Sequence, residues 1–207
     1  MSQERYEHIY IKNTNIKNNL IQDVKHIPIK DIEKRIDDFI IYYENHGYPF
    51  AQIGLENINR DTADLIVNQG QLYTIDSVAI YGVSGISQQH ICNIINIRKG
   101  DIYNQERIDE IEKKIKATSY LNIHKQHGLV FHKNTVDIYL YLIKEKNNFI
   151  DGMIGFDTKE DKIHINGFAK IKLENLINKG ESMEINWHAE QERFQSMKTL
   201  IRFPYVI

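Results

Sequence analysis

The sequence predicts an α+β protein in which two modules of mixed helix and strand precede a segment of antiparallel strands. Three observations predict this fold class. Apolar residues recur at helical spacing in two regions before residue 120, and short segments of alternating apolar and polar residues lie beside those regions. From residue 149 onward the alternation is strict and no helix can be drawn. The C-terminal segment is therefore expected to differ in class from the two modules.

The first module, residues 1–72, is expected to contain one helix followed by two strands. Pro28 suits a helix entry because its fixed φ is tolerated there, and apolar residues at helical spacing follow it up to Gly47, a typical helix end. Residues 51–58 and 62–68 are then predicted to be strands. The second module, described next, opens with a strand and a short helix, and residues 1–30 show these two elements poorly. The first module is therefore expected to be incomplete at its start.

The second module, residues 73–146, is expected to have the order strand, helix, helix, strand, strand. Alternation, helical spacing and helix breakers place these elements at Tyr73–Tyr81, Gln88–Ile97, Ile108–Ile115, Asn122–Gln126 and Val136–Lys144. His127 and Gly128 are predicted to turn or bulge the fourth element. The late elements of the first module superpose on those of the second. Both are therefore predicted to be diverged copies of one unit that stacks along an axis.

The C-terminal segment, residues 149–207, contains four stretches in which every second residue is apolar or small. These residues are Ile150, Gly152, Ile154 and Phe156; Ile163, Ile165, Gly167, Ala169, Ile171 and Leu173; Met183, Ile185, Trp187 and Ala189; and Met197, Thr199, Ile201, Phe203 and Tyr205. Alternating segments of about ten residues are typical of transmembrane β-barrels, and Trp187 and Tyr205 near strand ends suit an aromatic girdle. A water-soluble antiparallel sheet with one buried face gives the same pattern.

Composition and charge exclude several classes of protein. The chain has 26 Lys and Arg against 28 Asp and Glu, a net charge of -2, so it carries no overall electrostatic footprint for nucleic acid. Cys92 is the single cysteine, which excludes an internal disulfide and a metal site made of several thiolates. No apolar run approaches the roughly 20 residues that a membrane-spanning helix needs, and Met1–Lys30 shows no secretion signal.

Candidate catalytic and metal-binding residues have little support from their surroundings. The nine histidines include no His-Glu-x-x-His pattern, and His124 has no carboxylate at ligand spacing. Cys92 lies among isoleucines on a short helix, which favours a buried structural thiol over a nucleophile. Asp37–Asp38 and Asp109–Glu110 fall on solvated helix faces rather than in a cleft. We therefore expect no enzymatic activity, no metal and no cofactor.

An ordered set of short motifs resembles the BamA/TamA-like outer-membrane assembly family, and its bacteroidete members in particular. The matching segments are Tyr42–Ala51 with Asn-x-Gly-Tyr-Pro-Phe, Asn68–Val78, Ile86–Asn104, Asp151–Phe156, Leu173–Leu176 and Arg202–Tyr205. One departure is Asn178, which stands where the family commonly has a second glycine. The resemblance implies POTRA domains, periplasmic modules that bind polypeptides, followed by the first strands of an outer-membrane β-barrel.

The resemblance implies a protein that inserts other proteins into the bacterial outer membrane. Its partners would be unfolded outer-membrane proteins or exported polypeptides, the outer-membrane bilayer and accessory lipoproteins. A two-partner-type polypeptide secretion pore and a soluble periplasmic POTRA scaffold are the alternatives. Four strands cannot close a barrel, because known bacterial barrels begin at about 8 strands and an open edge in lipid leaves backbone groups unpaired. The chain is therefore expected to be a fragment.

The modules are expected to bind extended peptides at strand edges by β-augmentation, in which backbone hydrogen bonds give affinity with little sequence preference. The candidate edges are Ala51, Gln52, Ile53, Gly54, Leu55 and Glu56 in the first module, and Asn122, Ile123, His124 and Lys125 in the second. The resemblance also implies a weak barrel seam where a substrate strand can pair. The candidate seam residues are Gly152, Ile154, Gly155 and Phe156, and the two glycines would weaken strand pairing.

Overall fold

The computed structural model describes residues 8–14, 26–159, 162–191 and 194–204. The chain forms two compact units. Unit 1 comprises Met1–Ser77, Lys99–Asp109 and Val130–Asp137, and unit 2 comprises Val78–Arg98, Glu110–Leu129 and Ile138–Ile207. Some predicted features lie outside the described residues. They are residues 1–7 and 15–25 of the first module, Glu160, Asp161 and Glu192 in two expected turns, and Tyr205.

The first sheet has four strands in the order β2-β1-β4-β3. The elements are β1 (His8–Thr14), β2 (His26–Pro28), a short 3-10 helix (Ile29–Asp31), α1 (Ile32–Glu44), β3 (Gln52–Glu56) and β4 (Thr62–Asn68). β4 lies between β1, to which it is parallel, and β3, to which it is antiparallel. Buried Ile9, Ile27 and Ala63 form the hydrophobic core on this sheet, and Ile32 and Phe39 of α1 pack against them. The apolar stripe of α1 thus covers one face of this sheet.

The middle sheet has three strands in the order β5-β7-β6. The elements are β5 (Thr74–Tyr81), α2 (Gln88–Ile95), α3 (Gln105–Asp109), α4 (Ile111–Lys116), β6 (Leu121–Phe131) and β7 (Thr135–Lys144). In both sheets the last strand of the module lies between two others, β4 between β1 and β3 and β7 between β5 and β6.

Of the turn or bulge predicted at His127 and Gly128, the turn is wrong, because β6 continues to Phe131. A bulge at these residues stays a prediction. A Cβ on Gly128 would lie 3.7 Å from the Tyr139 Cβ, so the glycine lies against β7 and pairing keeps it in the strand. The turn follows instead at Lys133 and Asn134. The predicted second helix is also divided, because Glu110 separates α3 from α4.

The terminal sheet is an antiparallel meander with the strand order β11-β10-β9-β8. Its strands are β8 (Phe149–Lys159), β9 (Lys162–Glu174), β10 (Ser182–Gln191) and β11 (Phe194–Arg202). The strand pairs align Ile150 with Ile171, Ile171 with Ile185, and Ile185 with Thr199. Within the four strands, the residues of the predicted alternation from Ile150 to Ile201 therefore share one face.

Within the described ranges, no helix has the length and hydropathy that crossing a membrane would require.

Candidate strand-edge sites and apolar surface

β3 lies at the edge of the first sheet and contains the first set of predicted binding residues. Gln52, Gly54 and Glu56 are exposed, whereas Ile53 and Leu55 are half-buried. No atom lies within 4 Å of the position that a Gly54 Cβ would occupy, so this part of the strand faces open space. Ala51 precedes the strand, and its amide donates to the Tyr48 carbonyl at 3.2 Å.

β6 lies at one edge of the middle sheet and contains the second set. The polar side chain at the start of β6 already has hydrogen-bond partners within the protein. The Asn122 amide donates to Glu145 at 3.0 Å, and Asn122 Oδ1 accepts the Ile123 N–H at 2.8 Å. His124 and Lys125 are exposed. An incoming strand would therefore meet exposed side chains beyond Ile123.

The opposite edge of the middle sheet, β5, already has partners. Ile75 donates its N–H to the Asp101 carbonyl at 2.8 Å and accepts the Gly100 N–H at 2.7 Å. Farther along the strand, the Gln88 side chain donates to the Val78 carbonyl at 2.8 Å. These contacts occupy backbone groups that an added strand would need. β6 is therefore the better candidate edge of this sheet.

β8 is an edge strand of the terminal sheet and contains the predicted seam residues. It pairs with β9 from Phe149 to Lys159 without a register shift. The backbones of β8 and β9 approach closely at Gly152, where a Cβ would lie 2.8 Å from the Phe168 carbonyl oxygen. A Cβ on Gly155 would overlap the side chain of Asn166. Ile154 and Phe156 are exposed on the same face of this strand.

The terminal sheet exposes its apolar face. Ile150, Phe156, Ile163 and Met197 are 76%, 71%, 73% and 70% exposed, respectively. The opposite face is mostly polar and charged, with Asp151, His164, Asn166, Lys170, Lys172, Glu184, Asn186, His188 and Lys198. Its apolar residues are Phe149, Met153, Phe168 and Leu200. An apolar surface of this extent on a soluble monomer is unusual and marks a surface that contacts protein or membrane.

In unit 1, the loop after α1 is joined to the segment that starts α3. Asn45 Oδ1 accepts the Glu106 N–H at 2.8 Å, and the Asn45 carbonyl accepts a hydrogen bond from the Asn104 amide at 2.8 Å. Gly47 has φ +97°, and a Cβ there would lie 2.5 Å from Leu72 Cδ1 and 2.7 Å from Ile102 Cγ2. In the Asn-x-Gly motif, Asn45 therefore binds the segment that starts α3, and the missing side chain of Gly47 leaves room for Leu72 and Ile102.

An aromatic cluster lies beside this contact. The rings of Phe50, Tyr73 and Phe131 have pairwise centroid distances of 5.4, 4.8 and 5.5 Å in edge-on arrangements. Tyr103 adds a fourth ring at 5.8 Å from Phe131. Burial, with smaller effects of Glu44 and Asp109, raises the pKa of Tyr103 to about 12. The same junction raises the pKa of Glu44, through burial and then through Asp109.

In unit 2, the loop between β9 and β10 contacts residues near the middle sheet. Asn178 adopts φ 59°, which asparagine tolerates better than most residues, and its Oδ1 accepts a hydrogen bond from Lys144 at 2.9 Å. Buried Glu181 accepts the N–H groups of Ile177 at 2.6 Å and Lys179 at 3.1 Å. Asn178 therefore adopts a left-handed conformation that a glycine would also accept.

The two ionisable side chains of α2, His90 and Cys92, are buried. The His90 ring lies 2.6 Å from the Tyr120 hydroxyl, and burial lowers the pKa of His90 against an opposing effect of Glu181. Cys92 is buried, as expected, and burial raises the pKa of its thiol more than Arg98 lowers it. Among the residues that the structure describes, no three or more His, Cys, Asp or Glu side chains are grouped in a way that could hold a metal ion.

The comparisons with known proteins identify the class of module. Residues 73–142 match the family described as POTRA, surface antigen variable number repeat. The chain is similar to the structure of BamA from Haemophilus ducreyi lacking POTRA domains 1–3, with a TM-score of 0.63 and 14% identity over 89% of this chain and 37% of that one. CdiB from Acinetobacter baumannii gives a TM-score of 0.48 and 14% identity over 89% of this chain and 39% of that one. No curated protein matches the chain by sequence.

These findings confirm the predicted resemblance and fold class. The POTRA match covers residues 73–142, and the antiparallel strands of the terminal sheet follow it along the chain. It resembles the BamA/TamA-like family and spans 37% of the length of the BamA structure it matches. The module boundaries at residues 72 and 146 remain predictions.

Two parts of the site lie beyond what the sequence reasoning found. The role of Asn45 depends on a partner 61 residues away, and its only local signal is its place in the Asn-x-Gly-Tyr motif. The contact between Lys125 and the Tyr141 ring joins two strands. The sequence indicates the contact between Lys125 and Tyr141 only through the tyrosines at alternate positions of the last predicted strand.

Proposed function

We propose that this chain is part of a non-enzymatic factor that assembles or inserts proteins in the bacterial outer membrane. The observation that carries the proposal is the exposed apolar face of an antiparallel sheet that follows a POTRA domain. In the outer membrane this face would contact lipid, and the POTRA domain would lie in the periplasm. The exposure of Ile150 and Ile163 argues against the soluble scaffold, in which that face would be buried.

In this proposal, unfolded precursors bind at β3 and β6 by adding a strand to each edge. Backbone hydrogen bonds supply most of the affinity, so a single surface can receive many sequences. β5 cannot serve in this way at Ile75 and Val78, whose backbone groups already have partners. β8 would then pair with a substrate strand at the barrel seam, with the outer edge of Gly152–Phe156 as the template.

Photo-crosslinking in cells tests the edge sites. We expect p-benzoylphenylalanine at Gln52 or His124 to crosslink to newly made outer-membrane proteins. The matched control is Glu33, which is exposed on α1 away from a strand edge. Crosslinks from Glu33 equal to those from the two edge positions would contradict binding at the edges.

Depletion of the protein tests assembly against export. Loss of many different barrel proteins from the outer membrane is the result expected of an assembly factor. Loss of one exported polypeptide, with the other barrel proteins unchanged, would instead indicate the secretion pore. Unchanged levels of both would contradict the proposal. Quantitative proteomics of isolated outer membranes measures all three outcomes, and accessory lipoproteins would be identified by co-purification.

A further inference from the structure

A strip of tyrosines and one lysine crosses the middle sheet and ends on its open edge. Tyr81 on β5 stacks with Tyr139 and Tyr141 on β7 at ring-centroid distances of 6.3 Å and 5.6 Å. The Lys125 Nζ on β6 lies 4.5 Å from the centroid of the Tyr141 ring. We call these four residues the Tyr-Lys strip. Among the described strands only β7 pairs with β6, so Lys125 is the outermost member.

The Tyr-Lys strip lies on the face of the sheet that is not used for the core. Ile138, Leu140 and Leu142 of β7 are fully buried, and they alternate with Tyr139 and Tyr141. Successive side chains of a strand point to opposite faces, so the two tyrosines point away from the core. Tyr81 is half exposed and Lys125 is exposed. The strip is thus accessible at the edge where the proposed function places a substrate.

We propose that the β6 edge selects extended segments that place an aromatic side chain against Lys125. This inference rests on the proposed function, since it requires a strand to add to β6. Such a strand would direct every second side chain to the face of the Tyr-Lys strip. Lys125 already has the Tyr141 ring on its inner side. A second ring on its outer side would contact the ammonium through its electron-rich face.

Other side chains at this position gain less from Lys125. An aliphatic side chain has no comparable attraction to the ammonium, and a basic one is repelled. An acidic side chain would form an exposed ion pair, which contributes little because water and salt screen it. Strands of transmembrane barrels carry aromatic girdles at both interfaces. The β6 edge would therefore favour the aromatic ends of barrel strands over other unfolded polypeptide.

Three synthetic peptides test this selection by fluorescence anisotropy with the full chain in detergent micelles. They share one alternating host sequence and differ only at a central guest position, which is Tyr, Leu or Glu. We expect the Tyr peptide to bind about two- to five-fold more tightly than the Leu peptide, the range of an exposed cation–π contact. Lys125→Met should abolish this preference, so that the Tyr and Leu peptides bind with equal affinity. The matched control Lys133→Met, at the exposed hairpin turn, should keep it.

The other outcomes distinguish failure of this inference from failure of the proposed function. Equal affinity for the Tyr and Leu peptides, or a Tyr preference that survives Lys125→Met, overturns the inference and leaves edge binding intact. Tighter binding of the Glu peptide overturns it in favour of charge pairing. If no peptide binds the unaltered chain, edge binding itself fails, and the proposed function loses its first step. Tyr141→Leu gives a second test, since it should weaken the Tyr preference without removing Lys125.

Discussion

Asn45 caps the first turn of a helix that begins 60 residues later in the chain: its Oδ1 accepts the Glu106 N–H at 2.8 Å. The N–H groups at the start of a helix have no partner within the helix, and an asparagine side chain is among the best acceptors for them. Here the acceptor comes from the loop after α1, whereas Asn104 satisfies the neighbouring Arg107 N–H at 2.8 Å. The two asparagines together fix the start of α3 on that loop.

Asn45→Ala should loosen this contact. Loss of a capping side chain costs about 1 kcal/mol, and an alanine leaves the Glu106 N–H without its acceptor. We expect hydrogen exchange at the Glu106 amide to increase roughly five-fold, which corresponds to that free energy. Asn59→Ala, which removes only an exposed hydrogen bond to Asn57, is the control and should leave this amide unchanged. Unaltered protection at Glu106 in Asn45→Ala would contradict the capping role.

Gly47→Ala should destabilise unit 1 by more than a single lost hydrogen bond. The added Cβ would overlap Leu72 and Ile102, and alanine is strained at φ +97°. Overpacking of this kind costs about 1–3 kcal/mol. Chemical denaturation measures the change, with Gly54→Ala as the matched control because a Cβ there meets no atom within 4 Å.

The double variant Gly47→Ala with Leu72→Ala separates crowding from backbone strain. Removing the Leu72 side chain should recover part of the lost stability, since its Cδ1 is the nearest atom to the new Cβ. The strain at φ +97° should remain. Equal stability of Gly47→Ala and Gly54→Ala would show that the close approach at Gly47 is not needed for this junction.

Unit 1 should lose stability between about pH 10 and pH 12 through Tyr103. The phenol is 1% exposed and its pKa is raised to about 12, against about 10 in an unfolded chain. Between these values the unfolded state has lost the proton and the folded state keeps it, so unfolding becomes more favourable as the pH rises. Tyr103→Phe should flatten the alkaline decline, measured by denaturation at each pH.

Two observations would count against this role of Tyr103. The first is an alkaline decline of the same slope in Tyr103→Phe and in the unaltered chain. The second is a Tyr81→Phe variant, which changes an exposed phenol, that flattens the decline to the same extent.

α2 should be destabilised by acid through His90. Burial lowers the pKa of this histidine, so the unfolded state binds more protons as the pH falls below the ordinary value of about 6.5. Stability contributed by the neutral ring is therefore present at higher pH and is lost as the pH falls. His90→Gln should reduce the difference in α2 hydrogen exchange between pH 5 and pH 7.5. An unchanged difference would assign the acid sensitivity to another group, and His46→Gln is the exposed control.

The sequence predicts regular alternation well and contacts between distant segments poorly. The apolar face of the terminal sheet follows from a period of two, because pairing in register puts the same residues on one face. The turn predicted at His127 and Gly128 is wrong, because a glycine beside Tyr139 can remain in a paired strand. Asn45 could not be assigned a partner, since nothing local in the chain specifies Glu106.

Site-directed spin labelling tests most directly whether the apolar face of the terminal sheet contacts lipid. Nitroxides are placed at Ile163 and Met197 on this face and at His164 and Lys198 on the other, after replacement of Cys92 by alanine, in protein assembled in cells and measured in isolated outer-membrane vesicles. Our account expects the first pair to collide mainly with lipid-soluble oxygen and the second pair mainly with a water-soluble nickel chelate. Equal access of the nickel chelate to all four positions would contradict it.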